Sequence, residues 1–197
     1  MRFVAGAGLT RVSPAHWSAH VNALNVPPHW CAWLTGSGSL TAQLIAHSRH
    51  FRVRRIRQAR GPVALDEQHI LQLPRRVLVQ QRNVVLECDG QPVVYAHTSV
   101  PLTATANDWP LFGSLGERSL GSTLFGDPLV QRGALEFARL SSRHPLMRRL
   151  VATLGPQPDL LARRCLYRRR HGILLVCEIF LPAIIGLAPV GNGTIMV

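Results

Sequence analysis

One stretch in the middle of the chain decides the fold: Val77-Leu-Val-Gln-Gln-Arg-Asn-Val-Val-Leu-Glu-Cys-Asp-Gly-Gln-Pro-Val-Val-Tyr-Ala-His-Thr-Ser-Val100. An Asp-Gly pair at positions 89–90 separates two apolar runs, which is the strongest short-range signal of a β-hairpin. We therefore predict two antiparallel strands, 77–88 and 91–100, joined by a tight turn.

A second hairpin is predicted near the C-terminus, where residues 162–170 pair with 173–181 across His171-Gly172. The other elements are predicted from breakers, caps and periodicity: a helix over 15–34 broken at Pro27-Pro28, a helix over 40–48 capped by Ser39, an arginine-rich edge strand over 51–58, an irregular segment over 62–74, a helix over 128–140, and a looser segment over 141–159. This order predicts an α+β fold, a single domain with helices packed on an antiparallel sheet.

A lone carboxylate marks the last predicted strand. The run 172–182 is apolar except for Glu178. Alternation along a strand places Glu178 on one face with Val176 and Phe180. A carboxylate on an apolar face is unfavourable unless another group pairs with it, so Glu178 is a candidate functional residue.

A lone cation in the first hairpin is its candidate counterpart. Arg82 shares a strand face with Val84 and Leu86. If both strands turn these faces inward, Arg82 and Glu178 look into the same interior. That arrangement suits a small ligand with an anionic end and a hydroxyl or acidic C–H end. The alternative is an Arg–Glu ion pair with no ligand.

Composition limits the class of protein. The chain has 197 residues, of which 47% are hydrophobic, enough for one globular domain with a sizeable core. No apolar run reaches the roughly 18 residues of a membrane span, and the first residues lack the apolar core of a signal peptide. We therefore expect a cytoplasmic protein without stable membrane insertion.

The charge is strongly positive, +12, and all 22 basic residues are arginine. This balance favours anionic partners, and an arginine-rich nucleic-acid module is one alternative function. The arginines are spread along the chain, however, and no helix-turn-helix, zinc-finger or RNP-like pattern occurs. The four cysteines form no CxxC pair and no zinc-ligand spacing with histidine, which predicts buried reduced thiols and no metal.

Several segments carry a family resemblance in the same order along the chain: residues 82–92 with 96–101, residues 115–125, Leu161-Ala-Arg-Arg-Cys165, Leu174-Leu-Val-Cys-Glu-Ile-Phe-Leu-Pro182, and the shorter matches at Trp33 and Gly38-Ser-Leu-Thr41. They resemble chorismate–pyruvate lyases, the enzymes that make 4-hydroxybenzoate for ubiquinone synthesis. The resemblance covers residues 28–182 and leaves 183–197 as a C-terminal extension. The chain departs from the family pattern at Cys165, Cys177 and Ser119, where Ser, Thr and, in some members, Pro are usual.

The resemblance implies flap-like helical loops over an internal ligand cavity, no cofactor, and a monomer that binds chorismate and 4-hydroxybenzoate but no nucleic acid. It implies that Arg82 holds the ring carboxylate and that Glu178 contacts the C4 hydroxyl, as a general base or only as a hydrogen-bond partner. It also implies ligand contacts from the backbone at Leu120 and Leu40. A non-catalytic binding domain for aromatic carboxylates remains an alternative, because ligand-sensing domains of bacterial transcription regulators resemble the same fold.

Overall fold

Six antiparallel strands form one sheet in the computed structural model, which describes residues 13–190. The strands are β1 (Phe51–Pro62), β2 (Leu78–Cys88), β3 (Gln91–Pro101), β4 (Val130–Leu140), β5 (Leu160–Arg169) and β6 (Gly172–Phe180). Their order across the sheet is β1-β2-β3-β6-β5-β4, so β1 and β4 are the edges. This architecture confirms the predicted α+β class.

Five helices pack on the sheet: α1 (Pro28–Thr35), α2 (Leu40–Ala46), α3 (Leu65–Ile70), α4 (Leu120–Gly126) and α5 (Pro145–Leu154). Short 3-10 turns occupy Val21–Leu24, Leu102–Ala104, Pro110–Ser114 and Pro182–Gly186. None of the helices in residues 13–190 is long and apolar enough to cross a membrane. The last turn packs Ile184 into the core, whereas residues 191–197 of the predicted extension lie outside the described range.

Both predicted hairpins form. The β2–β3 turn is Asp89-Gly90, with φ of +49° and +80°, as the tightest hairpin turns require. The β5–β6 turn lies one residue earlier than predicted, at Arg170-His171, with Arg170 at φ +53°. The two strands of a hairpin run away from the turn in opposite directions. A turn that lies one residue earlier therefore shifts the residue opposite any given position by two.

The predicted helix over 128–140 is wrong: these residues form edge strand β4, which pairs with β5. Gly133 shows why the strand is preferred. A Cβ built on Gly133 would lie 2.8 Å from the Leu166 carbonyl oxygen, so its missing side chain permits the close approach of β4 to β5 at an irregularity in the pairing. Long-range pairing of this kind overrides the local helical pattern.

Three further predictions are wrong in part. The helix predicted over 15–34 forms only as α1, while Ser18 instead pairs with the backbone of Phe137 on β4. The segments predicted as irregular and loose contain α3 and α5, respectively. Helix α5 begins at Pro145 after a His144 cap, where proline is well tolerated because the first helical N–H has no partner within the helix.

The two faces of the sheet have separate cores. On the front face, α1 and α2 pack against Val84, Leu86 and Phe180. On the back face, α5 packs against a layer that includes Tyr95 and Ile179. Alternation along each strand sends Arg82 and Glu178 to the front face, and it sends Asn83 and Cys177 to the back.

Candidate active site

The strand register brings the predicted site residues together on the front face. One row across the sheet runs from Val84 through Ala96 and Glu178 to Arg163, each residue directly opposite the next. Residues opposite one another in antiparallel strands point to the same face. Arg82 lies in the adjacent row. Arg82 and Glu178 therefore lie on the same face of the sheet, which meets the condition that the sequence left open.

Two helix N-termini meet above this row. Ser39 caps α2 and Ser119 caps α4, each by accepting a hydrogen bond from a backbone N–H of its helix. The Thr41 and Ser119 hydroxyl oxygens lie 2.6 Å apart, and this contact joins the two helices across the opening. The Ser119 that departs from the family pattern therefore takes part in a contact that proline could not make.

A pocket of about 540 Å³, counted with its part open to solvent, lies between these helices and the sheet. Its floor is apolar and includes Val84, Leu86, Ala96 and Val176. The polar residues that line it are Thr41, Arg82, Thr98, Ser119, Arg163, Tyr167 and Glu178. Leu40 and Leu120, the first residues of α2 and α4, also line it. All four predicted site residues thus border one space that combines an apolar floor with a few polar groups, as small-molecule sites do.

Arg82 is 2% exposed and is held at one side of the pocket by the loop before α4. Its Nη2 donates hydrogen bonds to the carbonyl oxygens of Gly116 at 3.1 Å and Arg118 at 2.8 Å. Its Nε is buried without a partner within residues 13–190. The pKa of Arg82 is lowered to about 10, mainly by burial and to a smaller extent by the nearby positive charge of Arg55. The guanidinium therefore remains charged at neutral pH and retains donors for an anion.

Glu178 pairs with Arg163 and not with Arg82. Arg163 Nε donates to Glu178 Oε2 at 2.5 Å. Arg163 Nη1 also donates to carbonyl oxygens at the end of α1, Trp33 at 3.2 Å and Leu34 at 3.0 Å. The Arg82–Glu178 ion pair considered from the sequence does not form. The sequence prediction missed Arg163 as a pocket residue.

The cysteines offer no competing chemistry. All four are free, and Cys88, Cys165 and Cys177 are buried. Burial raises the pKa of all three thiols, most strongly that of Cys177, which disfavours the reactive thiolate. The part of the chain that the structure describes holds no cluster of histidine, cysteine and carboxylate groups suited to a metal ion.

A family model and individual proteins similar to this chain point to the same family. The family model described as chorismate lyase matches residues 12–188. A "Probable chorismate pyruvate-lyase" of Cupriavidus pinatubonensis is 44% identical over 181 residues, covering 90% of this chain and 93% of the relative. Another protein of that name, from Ralstonia nicotianae, is 48% identical over 161 residues, covering 79% of this chain and 83% of the relative.

Solved structures with a similar fold include bacterial transcription regulators. PhnF from Mycobacterium smegmatis superposes with a TM-score of 0.51 at 16% identity, covering 75% of this chain and 65% of PhnF. A GntR-family regulator from Bacillus cereus superposes with a TM-score of 0.50 at 12% identity, covering 67% of this chain and 92% of the regulator. These likenesses show the fold alone. Together with the strand register and the pocket, the family match and the lyase relatives lead to one conclusion: the chain belongs to the chorismate lyase family.

Proposed function

We propose that this chain is a chorismate pyruvate-lyase, which converts chorismate to 4-hydroxybenzoate and pyruvate and so supplies the ring of ubiquinone. The main support is the pocket lined by both Arg82 and Glu178, in which the Arg82 Nε has no partner within residues 13–190. The curated relatives that match most of this chain carry the lyase name, which favours an enzyme over a non-catalytic binding domain.

The reaction requires that the substrate be held in the right geometry and requires no second reactant. Chorismate loses its C4 hydrogen and its C3–O bond, the ring becomes aromatic, and the departing enolpyruvate takes up a proton to become pyruvate. Atoms and electrons balance without an oxidant. We propose that the protein holds the substrate in a reactive geometry, stabilises the departing group, and needs no cofactor.

Arg82 is proposed to bind the ring carboxylate. Its planar guanidinium matches a carboxylate with two parallel hydrogen bonds, a geometry that lysine does not reproduce. The Gly116 and Arg118 carbonyls fix the guanidinium from one side, so its remaining donors are oriented before the ligand arrives. The low exposure of Arg82 strengthens such a bond because water competes weakly for it.

Glu178 is proposed to contact the C4 hydroxyl. Arg163 occupies Oε2 at 2.5 Å, and the other carboxylate oxygen can accept a hydrogen bond from the ligand. Arg163 is itself fixed by the carbonyls at the end of α1, so it acts as a positioning residue that orients Glu178. This arrangement supports either a general base or a hydrogen-bond partner at that position.

Leu40 and Leu120 are proposed to contribute backbone N–H groups. Each is the first residue of its helix and lines the pocket. The first amides of a helix have no partners within the helix, so they can donate to a ligand. The two helices would then act as flaps that close over the bound substrate and exclude water.

The test is turnover of chorismate by purified protein, with pyruvate and 4-hydroxybenzoate measured together. We expect equimolar formation of both products. Arg82→Ala should lower kcat/KM by roughly a hundredfold or more, because it removes a buried charge-assisted contact. The matched control is Arg168→Ala, which removes the same charge from an exposed position on β5 and should leave kcat/KM within twofold.

Saturable 4-hydroxybenzoate binding without turnover would instead identify the chain as a non-catalytic binding protein. If the protein shows no turnover and no binding, the proposed function is refuted. We also propose that the chain acts as a cytoplasmic monomer without a nucleic-acid partner. Its elution volume in size-exclusion chromatography should match 21.7 kDa. A steep salt dependence of DNA or RNA binding would contradict the last part.

A further inference from the structure

Arg55 extends the pocket row to the edge of the sheet. It lies on β1 directly opposite Val84, which lines the pocket, and that row continues through Ala96 to Glu178. Arg55 therefore points to the front face. It is exposed and lies outside the pocket lining, next to Val53 and Val84, which do line the pocket; we call this position the rim.

The charges in this part of the front face do not cancel. The pocket carboxylate, Glu178, is already paired with Arg163. Within residues 13–190, neither Arg55 nor Arg82 forms an ion pair with a carboxylate. The positive charge of Arg55 contributes to the lowered pKa of Arg82, so the two guanidinium groups lie close enough to interact. One cation without an ion pair among residues 13–190, Arg82, therefore lines the pocket, and a second, Arg55, lies just outside the lining.

Chorismate carries two carboxylates, whereas 4-hydroxybenzoate carries one. We propose that Arg82 binds the ring carboxylate and that Arg55 binds the carboxylate of the enolpyruvyl group, the one that leaves as pyruvate. This inference rests on the proposed function and extends it to substrate specificity. Arg55 is assigned as the residue that distinguishes the dicarboxylate substrate from the monocarboxylate product.

The rim position has a functional consequence. After the C3–O bond breaks, Arg55 holds only a small anion that is no longer attached to the ring. An exposed guanidinium binds such an anion weakly because water screens the charge. Pyruvate therefore leaves from the rim, while 4-hydroxybenzoate remains on the buried Arg82.

The test compares two arginines on the same strand. Arg55→Met retains much of the apolar side chain and removes the charge. Arg57→Met makes the same change at a residue that lies opposite Asn83 and so points to the back face. For both variants and the wild type, kcat/KM for chorismate and Kd for 4-hydroxybenzoate are measured at low and high salt.

We expect Arg55→Met to lower kcat/KM for chorismate by about tenfold, mainly through KM, because one partly exposed charge-assisted bond is lost. Its Kd for 4-hydroxybenzoate should stay within twofold of the wild type, and Arg57→Met should change neither quantity. If kcat/KM falls equally in both variants, the role of Arg55 is refuted, and the net positive charge of the protein attracts the substrate instead. Weaker 4-hydroxybenzoate binding in Arg55→Met would place Arg55 on the ring carboxylate. If Arg55→Met changes neither kcat/KM nor Kd, Arg55 has no role in ligand binding. Either outcome overturns the proposal.

Direct binding separates this proposal from the proposed function. Chorismate affinity is measured by calorimetry for the Glu178→Gln protein and for Glu178→Gln combined with Arg55→Met. A wild type that turns over chorismate, with no affinity difference between these two proteins, refutes only the role of Arg55. A wild type without turnover refutes the lyase function, and the same affinity difference still decides whether Arg55 recognises the second carboxylate.

Discussion

The two faces of the sheet both bury charged groups, but the surroundings of these groups differ between the faces. On the front face, Arg82 lines the pocket, and its Nε has no hydrogen-bond partner among residues 13–190. On the back face, Glu67 of α3 lies 3.1 Å from both His97 and Ser99, and His97 lies 2.5 Å from Asn83. The back-face carboxylate lies against other buried side chains, whereas Arg82 and Glu178 on the front face line a pocket that a ligand can fill.

This difference separates a structural buried charge from a functional one. Glu67 is 3% exposed, and burial alone would raise its pKa. The charge and the hydrogen bond of His97 outweigh burial and hold the pKa of Glu67 below its ordinary value. A carboxylate with such partners fastens α3 to the sheet. Glu178 has one oxygen bonded to Arg163 and is 19% exposed as a side chain, so it can still accept a ligand.

The largest expected effect is on turnover, in Glu178→Gln. If Glu178 is a general base, kcat should fall by roughly 10²- to 10⁴-fold. Product binding should persist, because glutamine can still accept a hydrogen bond. Near-normal turnover would instead leave Glu178 as a hydrogen-bond partner only. The measurement is the initial rate of pyruvate formation beside the urea unfolding midpoint, which checks that the variant folds.

The corresponding back-face change, Glu67→Gln, should act on folding and not on catalysis. The change removes the Glu67 charge from a buried contact with His97 and Ser99, and the free energy of unfolding should fall by about 3 kcal/mol. Turnover per folded molecule should not change. Asp159→Asn is the control, because it makes the same charge change at an exposed residue. A loss of kcat in folded Glu67→Gln would contradict the separation of the two faces.

Acid should affect the back face through the same carboxylate. A depressed pKa in the folded state means that ionised Glu67 stabilises the fold above its ordinary pKa of 4.5 and that this contribution is lost as the pH falls through its folded value. Asp66, beside it, has a pKa lowered by His144 and Trp17 against the effect of burial, so it acts in the same pH range. Between pH 5 and pH 3, the unfolding free energy should therefore fall more steeply in the wild type than in Glu67→Gln. If urea unfolding gives parallel curves of unfolding free energy against pH for the two proteins, the partners of Glu67 do not lower its pKa.

The smallest expected effect concerns the flaps. A Cβ at Gly121 would lie 2.8 Å from Thr41 Oγ1 and 3.0 Å from Ser39 Oγ, so Gly121→Ala should push α4 away from α2. We expect KM for chorismate to rise about threefold, because water competes better with a looser pocket. Gly126→Ala is the control, since nothing lies within 4 Å of the Cβ at that end of α4. Equal KM values in the two variants would show that the contact between the flaps does not affect binding.

The sequence predicted most of the front-face site because its signals are local. The Asp-Gly turn and period-two alternation placed Arg82 and Glu178 each on one face of its own strand, and the β3–β6 pairing, which brings the two faces together, was a condition and not a prediction. The partner of Glu178 was missed because the second hairpin turn was placed one residue late. That register sets Cys165 opposite Glu178, whereas the true turn sets Arg163 there. Strand β4 was missed for a related reason, since its pairing with β5 depends on contacts distant in sequence.

The two edges of the sheet differ in what they would present to another copy of the chain. Edge strand β4 is partly covered, because the backbone of Ser18 exchanges two hydrogen bonds with Phe137. Edge strand β1 carries exposed arginines at positions 52, 55, 57 and 60. Two copies that approached along β1 would bring these like charges together, and repulsion would oppose the growth of one sheet into the next. The arginines of β1 would thus oppose edge-to-edge aggregation of a chain that is rich in apolar strands.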